Sequence, residues 1–145
     1  MGDDIVNYKV VYFTRNGSSK RIGEKIANKL SCEIIEITDN MNWKGSLGYL
    51  KAGYYSWKNK SVDIKINGDL SNVEEFIVVT PLWAGGAAPA IRTFLKTTSL
   101  DKIHLVVTSL GSNIKDRLGF KSVSDITKSE KNEDVIIDNL VKSLL

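Results

Sequence analysis

Two short segments carry residue types that could hold a ligand. Thr14-Arg15-Asn16-Gly17-Ser18-Ser19 offers hydroxyls, an amide and one glycine that lets the backbone curl. Ahead of a helix, such a run adds free N–H groups and a partial positive charge, and together these suit a phosphate. The same residues also make an ordinary helix cap, and the loop by itself leaves both readings open. Thr80-Pro81-Leu82-Trp83-Ala84-Gly85-Gly86-Ala87-Ala88-Pro89 sets one large aromatic beside a run of small residues. An aromatic face next to closely approachable backbone suits a planar heterocycle; a Trp capping the core over a glycine turn fits as well. No catalytic residue and no metal ligand is assigned to either segment.

The elements that must position these loops alternate along the chain. Tyr8 to Phe13 is a short, nearly continuous apolar run, the pattern of a strand buried on both faces. Helical spacing follows from Lys20 to Leu30, with Ile22, Ile26, Ala27 and Leu30 on one side. Cys32 to Thr38 reads as a second strand, and Phe76 to Val79 as a third closed by Thr80-Pro81. Pro89 opens a helix carrying Ile91, Phe94 and Leu95, since proline is tolerated in a first helical turn. Ile103–Thr108 and the weaker Phe120–Ile126 supply two more strands, and Asp134–Leu145 is a closing amphipathic helix. Strands alternating with helices imply a parallel sheet covered on both faces. The expected fold is α/β: a doubly wound, five-stranded parallel sheet in the order 2-1-3-4-5, with helices on both faces. The expected organisation is one domain over 1–145, with 1–7 as an N-terminal extension. Ligands on such a sheet lie at the C-terminal strand ends beside the switch point, where both segments fall.

Composition narrows the field further. The chain has 145 residues, 42% hydrophobic and 26% charged, so it can bury a core. One cysteine, Cys32, and one histidine, His104, exclude disulfide-stapled and zinc-stapled folds. No apolar run approaches the roughly 18 residues of a membrane span, and the acidic N-terminus argues against a signal peptide. A reducing cytoplasm is the expected compartment. The missing GxxxxGK[ST] and GxGxxG patterns exclude a triphosphate P-loop and a dinucleotide fingerprint. No acidic pair follows the first strand and no Asp ends the third, which disfavours a phospho-acceptor receiver. Cys32 sits in a strand, which excludes a Cys-loop phosphatase. The net charge of +3 is too small for a nucleic-acid face.

The two loops, taken together and in order, resemble those of the flavodoxin family. Thr14 to Ser19 is similar to its phosphate loop, and Thr80 to Gly85, then Pro89 and Arg92-Thr93-Phe94-Leu95, to the loop that wraps the flavin ring and the helix that follows it. Thr108-Ser109-Leu110-Gly111-Ser112 falls where the family's third flavin loop leaves the fourth strand. The resemblance implies FMN as cofactor. Its residues would be Thr14, Arg15, Asn16, Gly17, Ser18 and Ser19 at the phosphate, with Pro81, Leu82, Trp83, Ala84, Gly85, Gly86, Thr108, Ser109, Leu110 and Gly111 around the ring. The chain departs from better-known members in four places. Asn16 and Ser18 replace the usual phosphate-loop residues, and Leu110 stands where many members stack an aromatic. Residues 112–119 are too few for a full fourth helix with a long loop, and the chain is basic where the electron carriers are acidic.

The implied function is electron transfer through FMN. An NAD(P)H-dependent reductase of quinones, flavins or nitro compounds is the alternative, and a flavin-free interaction module the third. Residues 43–60 contain five Trp/Tyr residues and Lys44, Lys51, Lys58 and Lys60 without an acid. An amphipathic helix with a solvated lysine face explains this. So does a segment that covers the flavin edge with Tyr54 or Trp57 and draws an anionic partner. The expected partners are a redox protein presenting negative charge, or NAD(P)H; neither nucleic acid nor membrane is expected.

Overall fold

A computed structural model describes residues 6–41, 54 and 62–145. Nearly all of the 43–60 segment, with the helix expected there, lies outside the described residues.

Five strands form a parallel sheet: β1 (Tyr8–Tyr12), β2 (Glu33–Asp39), β4 (Glu75–Trp83), β6 (Ile103–Ser109) and β7 (Ser122–Thr127). Their spatial order is β2-β1-β4-β6-β7, the doubly wound order expected. Two short antiparallel strands were not expected. β3 (Ile64–Ile66) adds an edge beyond β2, and β5 (Gly86–Ala87) folds back on β4.

Alternation along the central strands builds two cores at once. Val11, Phe76, Val78, Leu105 and Val107 face one side; Val10, Tyr12, Ile77, Val79 and Val106 face the other. Helix α2 (Pro89–Leu95) covers the first side with Ile91 and Phe94, and Phe94 meets the Phe76 ring edge-on at 5.8 Å. Helices α1 (Ser18–Leu30) and α3 (Glu133–Leu144) cover the second, with Ile22, Ile26, Ile137 and Leu140 buried. Each fully buried Ile, Leu, Val or Phe contributes about 1.5–3 kcal/mol.

α1 and α3 are also joined by charge. Glu133 accepts from Arg21 Nη2 at 2.6 Å and from Lys25 Nζ at 2.6 Å, and Lys29 pairs with Asp138 at 3.1 Å. Arg21 above all holds the Glu133 carboxyl down at about 2; partial burial opposes it and Lys25 adds to it.

His104, which the sequence leaves without a role, belongs to a satisfied polar cluster at the N-terminal edge of the sheet. Its Nε2 lies 2.6 Å from Glu75 and its Nδ1 2.7 Å from Ser122 Oγ, while Lys121 reaches the other Glu75 oxygen at 2.7 Å. Burial pushes the Glu75 carboxyl up, but the bonds from Lys121 and His104 outweigh it and hold it below its ordinary range. A buried imidazole with both nitrogens bonded is a structural feature there, far from the loops at the other edge.

Candidate functional site

β1 and β4 are neighbours, but the chain leaves them in opposite directions. The crevice at their C-terminal ends is the switch point. Loop 13–17, the β4–β5 hairpin and the segment after β6 all start from that edge.

The first loop organises itself. Thr14 Oγ1 accepts from the Gly17 N–H at 2.8 Å, and Asn16 Oδ1 accepts from the Ser18 N–H at 3.2 Å. Gly17 is the residue that caps α1, at φ +96°, a conformation glycine adopts without a Cβ clash. No side chain of Gly17 can cap the helix, and the first helical bond runs from Arg21 N–H to Gly17 O at 3.0 Å. The N–H groups of Ser19 and Lys20 lie ahead of it and have no intrahelical acceptor. The first turn holds no acid. α3, by contrast, opens with Glu133 and Asp134, which complement its dipole. Ser19 is 1% exposed beneath this turn. Among the described residues, a Cβ built on Gly17 would meet nothing within 4 Å.

The second loop differs from its expected form. The strand does not close at Thr80-Pro81; β4 runs on to Trp83 and turns back into β5, pairing Leu82 with Ala87 and Trp83 with Gly86. The two residues of the turn, Ala84 (φ 52°) and Gly85 (φ 85°), are both left-handed, as a tight hairpin with primed geometry requires. Alanine is strained there, at a cost of about 1–3 kcal/mol. Buried Thr80 ties the hairpin base by accepting from the Ala88 N–H at 3.0 Å. Pro81 and Leu82 lie along the extended strand, half-buried. The Trp83 ring stands edge-on to Phe13 at 5.7 Å and 88°. Trp83 therefore stands as a wall between the first two loops, half-buried against one core. The contact with Phe13 and the packing against the core fit the core-cap reading of Trp83.

The third loop folds toward its neighbour. Ser109 Oγ donates to Ser112 O at 2.6 Å and accepts from Ser112 N–H at 3.1 Å. The Ser109 and Leu110 carbonyls accept from the Lys128 and Ser129 N–H groups at 3.0 and 2.8 Å. Gly111 lies against Ser129, Thr108 is half-buried at the strand end, and Leu110 is 74% exposed. The structure thus brings all three loops to one edge, but the third is bound to the turn after β7.

Lys115 is the residue that sequence reasoning missed. After β6 there is no helix; Ile114 N–H donates to Asp125 Oδ1 at 3.0 Å, and Arg117 pairs with the other Asp125 oxygen. Lys115 N–H then reaches Gly85 O at 3.3 Å, and its stem lies over the hairpin tip. Residues 14–19, 80–89 and 108–115 contain no Asp or Glu, so a basic residue in 108–115 was a readable signal. Its position at Gly85 was not.

The arrangement can hold an anion at the α1 N-terminus and a flat group along the Trp83 wall. The segments 14–19, 80–89 and 108–115 themselves contain no His, Cys, Asp or Glu.

No family model matches the chain, and no curated protein matches it. Solved structures do. A candidate flavoprotein from Bacteroides uniformis superposes with a TM-score of 0.75 at 15% identity, over 94% of this chain and 98% of that one. A second, from Bacteroides eggerthii, gives 0.72 at 18% identity, over 95% and 97%. A flavoprotein from Lactobacillus acidophilus, solved in complex with FMN, gives 0.65 at 19% identity, over 90% and 98%. Coverage of both chains nearly end to end, with the strand order above, decides the architecture. The fold is flavodoxin-like. At these identities the likeness is one of fold, and a flavodoxin-like sheet hosts more than one chemistry. Among the described residues, no helix is long and apolar enough to cross a membrane.

Proposed function

We propose that the chain binds FMN at the C-terminal edge of its sheet and acts in electron transfer. The observation that carries this is the α1 N-terminus, headed by Gly17 and flanked by hydroxyls with no acid in its first turn, beside half-buried Trp83. The L. acidophilus flavoprotein, solved with FMN, supports the same cofactor. The residues present fit the group. Thr14, Arg15, Asn16, Gly17, Ser18 and Ser19 would hold the phosphate. Pro81 to Gly86 and Thr108 to Gly111 would border the ring. FMN supplies the redox chemistry when bound. The chain's own residues bind and orient it and shield one side of it, and the acid-free loops place no carboxylate against an added negative charge.

Absorbance spectra of the purified protein with and without FMN test the reading, with riboflavin in parallel. Tight FMN binding with much weaker riboflavin binding supports it; equal affinities remove the phosphate from the first loop. FMN binding should also quench tryptophan fluorescence, and Trp83→Ala should remove most of that quench. Because Trp43 and Trp57 contribute, single-Trp variants make the reading. A quench that survives Trp83→Ala and vanishes with Trp57→Ala assigns the cover to the 43–60 segment.

The partner belongs to the same proposal. The lysines of 43–60 and the acid-free loops favour a redox protein or a dinucleotide donor that presents negative charge. Reduction by such a partner should slow as salt shortens the Debye length from about 10 Å at 0.1 M toward about 3 Å at 1 M. A rate indifferent to salt refutes the charge complementarity.

A further inference from the structure

The segment after β6 is short, non-helical and closely pinned. Asp125 holds it from below through Ile114 N–H and Arg117, and Ile114 itself is buried. Between these anchors the chain presents Lys115 to the hairpin tip. The backbone bond to Gly85 O fixes where the side chain starts. The Lys115 Cδ and Cε lie 3.5 and 3.6 Å from where a Gly85 Cβ would be, so the stem rests on bare backbone. Gly85 is left-handed at φ 85°, a conformation glycine adopts freely. Among the described residues, no carboxylate lies within ion-pair distance of the Lys115 ammonium. The acids of its own segment and anchor are otherwise engaged: Asp125 with Arg117, and Asp116 with the Leu118 N–H. A cation with no carboxylate partner among the described residues is thus delivered to the tip of the loop assigned to the flavin ring.

We propose that Lys115 is a positioning charge that favours the reduced over the oxidised flavin at this site. The inference rests on the FMN reading above. Reduction adds negative charge to the ring, and a fixed cation stabilises that form more than the neutral one. At a partly solvated edge a unit charge shifts such an equilibrium by about tenfold. The backbone bond to Gly85 O and the stem over the hairpin tip keep this exposed lysine at the loop in both forms.

The test uses the full chain loaded with FMN, at low salt. Affinity for oxidised FMN is read from flavin fluorescence and the midpoint potential from spectroelectrochemical titration, for the wild type, Lys115→Gln and Lys115→Arg. Lys115→Gln should leave oxidised-FMN affinity within about twofold but cut the relative affinity for the reduced form about tenfold, a fall of about 30 mV for a two-electron couple. Lys115→Arg should keep most of the wild-type potential. A Gln variant with the wild-type potential overturns the proposal. So does an Arg variant that falls as far as Gln, because the stem's packing over Gly85 would then be the cause. A wild-type chain that takes up no FMN overturns the FMN reading, and this proposal with it; a chain that binds FMN with unchanged potentials overturns this proposal alone.

Discussion

Gly17→Val should reduce FMN affinity by roughly 100-fold or more, the loss expected when one or two charge-assisted hydrogen bonds of about 1.5–3 kcal/mol each are forfeited. Two effects act together. At φ +96° a β-branched residue is a conformational outlier, strained by about 1–3 kcal/mol, so the loop will shift to relieve it. The new side chain also adds bulk at the residue that caps α1, next to the Ser19 and Lys20 N–H groups that have no intrahelical acceptor. Isothermal titration with FMN and with riboflavin reads both effects. FMN affinity should collapse toward that of riboflavin, while riboflavin affinity changes little. Far-UV circular dichroism confirms that the variant folds. An FMN affinity within a few fold of wild type would show that the phosphate does not approach Gly17.

The second large effect concerns stability and acid. Glu133 is the hub between α1 and α3, bonded to Arg21 and Lys25, with its pKa lowered from an ordinary 4.5 to about 2. A carboxyl depressed on folding adds stability that is fully present above its unfolded pKa and is lost as pH falls through the folded one. The window here runs from about 4.5 down to about 2. The full shift would be worth more, but Arg21 and Lys25 are substantially exposed and screened, so about 1–2 kcal/mol is the expected contribution. Glu133→Gln should therefore cost about 1–2 kcal/mol at pH 7. The deficit against wild type should shrink toward zero as pH falls from 4.5 to 2. Urea unfolding of both proteins at several pH values measures it. A deficit that stays constant across that range would mean that Glu133 stabilises by packing or helix capping, not by charge.

Much of the architecture is legible in the residues themselves. Val10-Val11 and Ile77-Val78-Val79 are continuous apolar runs, and only a strand buried on both faces accepts such a run. Ile22, Ile26 and Ala27 recur at helical spacing, and Pro89 marks the start of α2. Their alternation, with a chain of this length, leaves few sheets other than the doubly wound one. These signals are local: period and turn chemistry act within a dozen residues. The first loop is legible for the same reason, since Thr14, Asn16 and Gly17 shape one another within three residues.

What only the tertiary structure decided is non-local. That β4 outlasts Pro81 and folds back depends on β5 pairing and on Thr80 reaching Ala88. That Trp83 stands as a wall depends on Phe13, seventy positions earlier. β3 is a strand because Ile66 meets Ile37 at an edge that needed covering. Glu133 pairs with Arg21 only because two helices share one face of the sheet. Lys115 is one of several lysines in the sequence, and it joins the candidate site because Asp125 and Gly85 hold its loop over the hairpin. Such contacts depend on register and on the geometry of distant anchors, which residue type and spacing do not encode locally.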